Sequence, residues 1–226
     1  MRSLFLPAVA LSVTACSAAF PNAPPIGRLQ PVPVSDVDAW VAALRPSGHT
    51  TLRFHWTANQ DNGGSGSVGI AAPDSLKLAY RGPLGVSPGE AFVSGDSAVW
   101  AEPRADVEKL VPSYELLWGL VGVARPPHAG WKVDGHRDAT ATIWRYTRGA
   151  DTTQYVLWRA DGVENLQTYV IMGGRPVGKA LARFDASHHV IKSQLISLAD
   201  PARLDIAFYQ GNALLFDREM WSAPRP

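Results

Sequence analysis

One cysteine, Cys16, stands in 226 residues. An internal disulfide is therefore excluded, as is a zinc site built on cysteine pairs. Charge is scarce too: 18% of the residues are charged, and 21 basic against 20 acidic side chains leave a net charge of +1. This balance gives no sign of nucleic acid or of a strongly acidic partner. Long hydrophobic runs are missing as well. The apolar run at the start, Leu4 to Val13, falls short of the roughly 20 residues that a membrane span needs.

What the chain does have is turn formers and aromatics: 20 glycines, 18 prolines and eight tryptophans, a composition that suits an all-β domain. Its opening, Arg2 followed by the apolar run, has the layout of a secretory signal over residues 1–15. An ordinary small-x-small cleavage site between Thr14 and Ala18 is one reading of the residues after that run. Phe20 to Ser35 carries five prolines and no periodicity, which predicts an extended, semi-rigid tether over 16–34. The remainder, 35–226, is long enough for a single domain of sandwich or barrel type.

Within that domain Ser35 offers an N-cap, and Val37, Trp40, Val41 and Leu44 share one helical face until Pro46. From Thr50 the period changes to two. Leu52, Phe54 and Trp56 alternate with polar residues, and so do Leu76, Leu78 and Tyr80. Turn signals at Asp61 to Gly64, Pro73-Asp74, Pro83 to Gly89 and Gly95-Asp96 separate short strands. A second helical region runs through Val107, Leu110 and Val111, breaks at Pro112 and continues with Leu116, Leu117, Leu120 and Val121. Strand patterns then resume at Trp131 to Val133, Ala139 to Thr147, Thr152 to Arg159, Leu166 to Met172, Lys179 to Asp185, Val190 to Leu198 and Arg203 to Tyr209. With no helical patterns between them, parallel βαβ units are not expected and an antiparallel sheet is.

The catalytic signatures fail in context. Gly64 to Gly69 spells a dinucleotide fingerprint, but Pro73 comes too soon for the helix that would face a pyrophosphate. Gly85 to Gly89 spells a nucleophile elbow around Ser87, yet the next residues alternate like a strand. The six histidines show no metal-binding spacing. No enzyme activity, cofactor or metal is expected. The remaining asset is apolar and aromatic surface, and Phe54, Trp56, Leu78, Tyr80 and Trp118 are the candidate lining of a lipophilic cleft between sheet and helices.

The residues Val13-Thr14-Ala15-Cys16 resemble the lipobox of bacterial lipoproteins. Together with the early helix, the strand running into Pro83-Leu84-Gly85 and the helical block before Pro126, they resemble the LolB and LolA-like outer-membrane lipoprotein family. The resemblance covers Val34 to Pro127 in order. It implies a mainly β (α+β) fold, an unclosed antiparallel half-barrel covered by short helices. It makes Cys16 the lipidated first residue of the mature chain, and Ser17 after it favours the outer membrane. Leu84 becomes a leucine exposed at a loop tip that enters the bilayer. The partners implied are membrane lipids or acylated lipoproteins, with a periplasmic carrier as donor and no nucleic acid. Two departures stand out: the glycine-rich stretch Asn62 to Gly69 and the cation Arg81. A scaffold or sensor of the same shape, its cleft filled by side chains, is the competing expectation.

Overall fold

In the computed structural model the described residues are 19–44, 49–71, 74–82, 88–104, 113–198 and 202–210. Cys16 and Leu84 lie outside them, as do Ser87 and the first half of the second helical region.

The period-two stretches pair into one antiparallel sheet. Its first run comprises β2 (His49–Ala58), β3 (Asn62–Ala71), β4 (Ser75–Arg81), β5 (Gly89–Ser94) and β6 (Ser97–Glu102). Its second comprises β7 (Lys132–Arg137), β8 (Ala141–Arg148), β9 (Asp151–Ala160), β10 (Val163–Met172), β11 (Arg175–Phe184), β12 (Val190–Ser197) and β13 (Ala202–Gln210). A short β1 (Gln30–Pro31) adds to β7. The order is β1-β7-β8-β9-β10-β11-β12-β13-β2-β3-β4-β5-β6, so β13, the last strand among the described residues, lies beside β2 and joins the two runs. The edges β1 and β6 do not pair, and the sheet is an unclosed half-barrel.

Tight hairpins set the register. Between β9 and β10, Asp161 and Gly162 both take positive φ, and Gly173 and Gly174 do the same between β10 and β11. Two left-handed residues in succession match the twist of the flanking strands. The β2–β3 turn sits earlier than the glycines suggest. Asn59 and Gln60 take the positive φ, and Asn62 to Gly64 already belong to β3. Asn59 is held there by its backbone N–H on the Arg203 carbonyl at 2.8 Å, while its side-chain oxygen accepts from Arg203 N at 2.9 Å.

Among the described residues, two helices cover the inner face. Helix α1 (Val34–Ala43) begins one residue before the expected Ser35 cap. Pro33, extended at φ −58° and ψ 141°, is the N-cap, and no side chain caps the helix. Val37 and Val41 are fully buried, each worth roughly 1.5–3 kcal/mol. Trp40 packs on Trp144 with centroids 6.0 Å apart and lies over Gly135, where a Cβ would come within 2.9 Å of the indole.

Helix α2 (Tyr114–Leu120) starts at Ser113, whose Oγ accepts from Leu116 N at 3.2 Å as an N-cap does. It lies on β10, β11 and β12. Gly119 permits the close approach, since a Cβ there would stand 2.5 Å from Thr168 Oγ1. At the helix end Ser193 Oγ donates to the Leu120 carbonyl.

The described part of the segment read as a tether, from residue 19 on, runs over the outer face of the sheet before it reaches β1. Phe20, Ala23 and Leu29 pack against Ile143, Val156, Trp158 and Leu181. Arg183 and Lys192 stand over the Phe20 ring at 5.6 and 5.5 Å. No helix among the described residues is long and apolar enough to cross a membrane.

Candidate functional site: an apolar cleft under the second helix

Strand alternation sends Phe54 and Trp56 of β2, Val68 of β3, Leu78 and Tyr80 of β4, and Leu204, Ile206 and Phe208 of β13 to the inner face. Leu117, Leu120 and Val121 approach from α2 and the residue after it. Together these side chains line a cleft of about 70 Å³. No charged side chain is among them. Phe54 and Phe208 meet edge to face at 5.9 Å within the lining.

The glycine-rich stretch shapes this surface. The Cα partner of Trp56 is Gly64, that of Phe54 is Gly66, and Gly66 in turn pairs with Tyr80, whose other partner is Gly89. One row across the sheet therefore reads Phe208, Phe54, Gly66, Tyr80, Gly89, with rings and bare backbone alternating after the first pair. Each glycine in the row is covered by a neighbouring ring. A Cβ at Gly66 would stand 2.3 Å from Phe54, and one at Gly89 would stand 2.2 Å from Tyr80. Aromatics covering cross-strand glycines regain packing that the glycines forgo. The letters of the dinucleotide fingerprint thus fall inside a strand, and their chemistry is steric.

Four of the five residues expected to line a cleft, Phe54, Trp56, Leu78 and Tyr80, come together in it. Trp118 does not. It is fully buried on the other side of α2, where its indole N–H donates to the Gly95 carbonyl at 2.9 Å and Arg125 covers its ring at 5.1 Å. On a seven-residue helix only one flank faces the cleft, and Leu117, Leu120 and Val121 occupy it. Leu204, Ile206 and Phe208 join the lining from outside the expected set. Their alternation is legible in the sequence, but nothing local says that β13 neighbours β2.

Helix α2 is pinned at both ends. The Tyr114 hydroxyl accepts from Ala98 N at 2.9 Å, tying the first turn to β6. Beyond the helix, Arg125 N donates to the Tyr155 hydroxyl at 3.2 Å, and the Tyr146 hydroxyl donates to the Arg125 carbonyl at 3.0 Å. Burial pushes both phenols well above the ordinary tyrosine value, so they remain protonated.

Among the described residues, one group has the composition of a metal site: Asp96, Glu115 and His128, with ligand atoms within 4.8 Å of one another. Asp96 already faces Arg125 Nη2 at 3.8 Å and His128 Nε2 at 3.4 Å. The cationic guanidinium makes this an ion-pair cluster that lashes the β5–β6 turn to the chain after α2.

No protein-family model and no curated protein matches the chain. Among solved structures it is similar to the crystal structure of a LolA superfamily protein from Nitrosomonas europaea, at 9% identity over 85% of this chain and 98% of that one, with a TM-score of 0.39. At that distance the fold rests on this chain's own strand pairing, and the site on its own side chains.

Proposed function

We propose that this protein is a non-enzymatic lipoprotein, anchored through Cys16 on the periplasmic face of the outer membrane, that binds an acyl chain in the cleft beneath α2 and hands it to, or holds it at, the bilayer. The observation that carries the reading is the cleft itself: lined by apolar and aromatic side chains, and open between a sheet and a helix that is pinned at its two ends. A saturated chain end gains about 0.8 kcal/mol for each methylene buried. Lipid or an acylated lipoprotein is the cargo class, delivered by a periplasmic carrier. Leu84, between Pro83 and Gly85, is the residue that enters the membrane.

The size of the cleft favours a second reading. About 70 Å³ is well below the roughly 300 Å³ at which small-molecule pockets begin, so it takes a chain end and not a whole acylated ligand. A scaffold or sensor whose cleft is filled by its own side chains fits that volume without further movement, whereas carriage requires α2 to swing away from β12.

Titration with a fluorescent fatty acid separates the two. Saturable binding, competed by an unlabelled fatty acid, supports carriage; a flat titration supports the scaffold. The anchor is tested by Cys16→Ala, which is expected to leave the membrane fraction. A variant that still fractionates with the outer membrane and keeps the wild-type N-terminal mass contradicts lipidation.

A further inference from the structure

On the outer face of the sheet, directly opposite the cleft strands, the registers line up a row of side chains from six adjacent strands. Arg183 of β11 pairs with Lys192 of β12, which pairs with Ala207 of β13, and the row continues through His55 of β2, Ser65 of β3 and Arg81 of β4. At about 4.8 Å per strand the row runs roughly 24 Å. Arg53 stands one row away, beside Ser67. Small side chains between the cations leave a hollow of about 540 Å³ bounded by Arg53, Ser65, Ser67, Arg81, Glu90 and Tyr209. Of the acids on this face, Glu90 pairs with Lys77 at 4.0 Å, Asp205 binds Arg203 at 2.6 Å and Gln194 at 2.7 Å, and Glu102 stands beside Glu90 on the edge strand β6, beyond the cations. A chain with a net charge of +1 thus gathers four of its 21 basic side chains, with a histidine between them, on one surface.

We infer that this basic row is a docking surface for the phosphate groups of an anionic lipid bilayer. Charge complementarity is one ground; the position of the N-terminal segment is the other. Phe20 is held between Arg183 and Lys192 at one end of the row. Cys16 precedes it by four residues, which reach at most about 14 Å. A lipid on Cys16 therefore cannot hold the domain at a distance. It brings the Arg183–Lys192 end to the headgroups, and the remaining cations are carried along the sheet to the same surface. The inference concerns orientation at the membrane and stands whatever the cleft binds.

The test is flotation of the chain from Ser17 onward, which keeps every element described, with vesicles of neutral phosphatidylcholine and with vesicles in which about a third of the lipid is phosphatidylglycerol. Binding is expected only to the anionic vesicles, and it should fall steeply between about 0.1 and 0.5 M salt as screening shortens. Each basic side chain removed should weaken it about fivefold. The triple variant Arg53→Ser, Arg81→Ser, Lys192→Ser should lose about 100-fold while keeping the wild-type melting temperature, and Arg81→Lys should bind like wild type. Equal binding to neutral vesicles, or a folded triple variant that floats normally, overturns the proposal. So does competition by millimolar inorganic phosphate, which would make the hollow a site for the free ion. Preferential capture of a DNA oligonucleotide over the anionic vesicles overturns it as well.

Discussion

Trp56 donates its indole N–H to the carbonyl of Arg81, two strands away, at 3.2 Å, across the bare backbone of Gly64. A Cβ at Gly64 would stand 2.0 Å from that carbonyl oxygen and 2.8 Å from the indole nitrogen. The carbonyl belongs to the backbone of β4 and cannot turn aside. Gly64→Ala is therefore expected to lower stability by roughly 1–3 kcal/mol, as overpacking does, or several degrees in melting temperature. Gly27→Ala, with nothing within 4 Å of the added atom, should be neutral. Equal melting temperatures for the two variants would contradict the steric account of the glycine-rich strand.

Leu78 and Trp118 separate cleft from core. Leu78→Glu places an unpaired carboxylate in an apolar surface, which is costly to cover, and it should abolish fatty-acid binding in a protein that still folds. Trp118→Phe removes the bond to Gly95 and part of a buried ring, costing roughly 1–3 kcal/mol, and should leave binding intact below its melting point. The reverse pattern, binding kept by Leu78→Glu and lost by Trp118→Phe, would place the ligand elsewhere.

How far this site is legible in the sequence depends on distance along the chain. The alternation of Leu52, Phe54 and Trp56, and of Leu76, Leu78 and Tyr80, is local, and it puts four lining residues on the correct face. The strands from β7 to β13 are legible for the same reason. The contact of β13 with β2 joins residues about 150 positions apart, and no local pattern encodes it. Nor does periodicity tell which flank of a short helix meets a cleft, and that is why Trp118 reads as lining in the sequence and is core in the fold. The prolines of the N-terminal segment carry no pattern that would place it against the sheet. That Phe20 and Leu29 find an apolar patch on the outer face depends on Ile143, Val156, Trp158 and Leu181 arriving there from three other strands.

Acid should weaken the turn between β7 and β8. The Asp138 carboxylate accepts from the Thr140 hydroxyl and backbone N–H, both at 2.7 Å, and from Ala141 N at 3.0 Å, with His136 beside it at 3.0 Å. These bonds, those from Thr140 above all, hold its carboxyl well below the usual range. A lowered native value means that its contribution is complete above the unfolded value of about 3.9 and is lost as pH falls below it. Melting temperature measured from pH ~7 to ~2 should fall less steeply below about pH 4 in Asp138→Ala than in wild type. Parallel curves would contradict the role given to this turn.

Leu84 lies in a stretch without alternation, between two turn formers. If it enters the bilayer, Leu84→Glu keeps wild-type stability within a few degrees and binds fatty acid normally, but delivers it poorly to liposomes. A stable variant with normal transfer contradicts the loop's role, and early unfolding would mean that the side chain folds back onto the sheet.

The central claim is that the cleft holds an acyl chain. The most direct measurement is native mass spectrometry of the protein, gently extracted from the membrane in which it is made. The account predicts a population carrying added lipid or acylated peptide beyond the mass of its own anchor, and the loss of that population in Leu78→Glu. Wild-type protein that emerges with its anchor mass alone would contradict it.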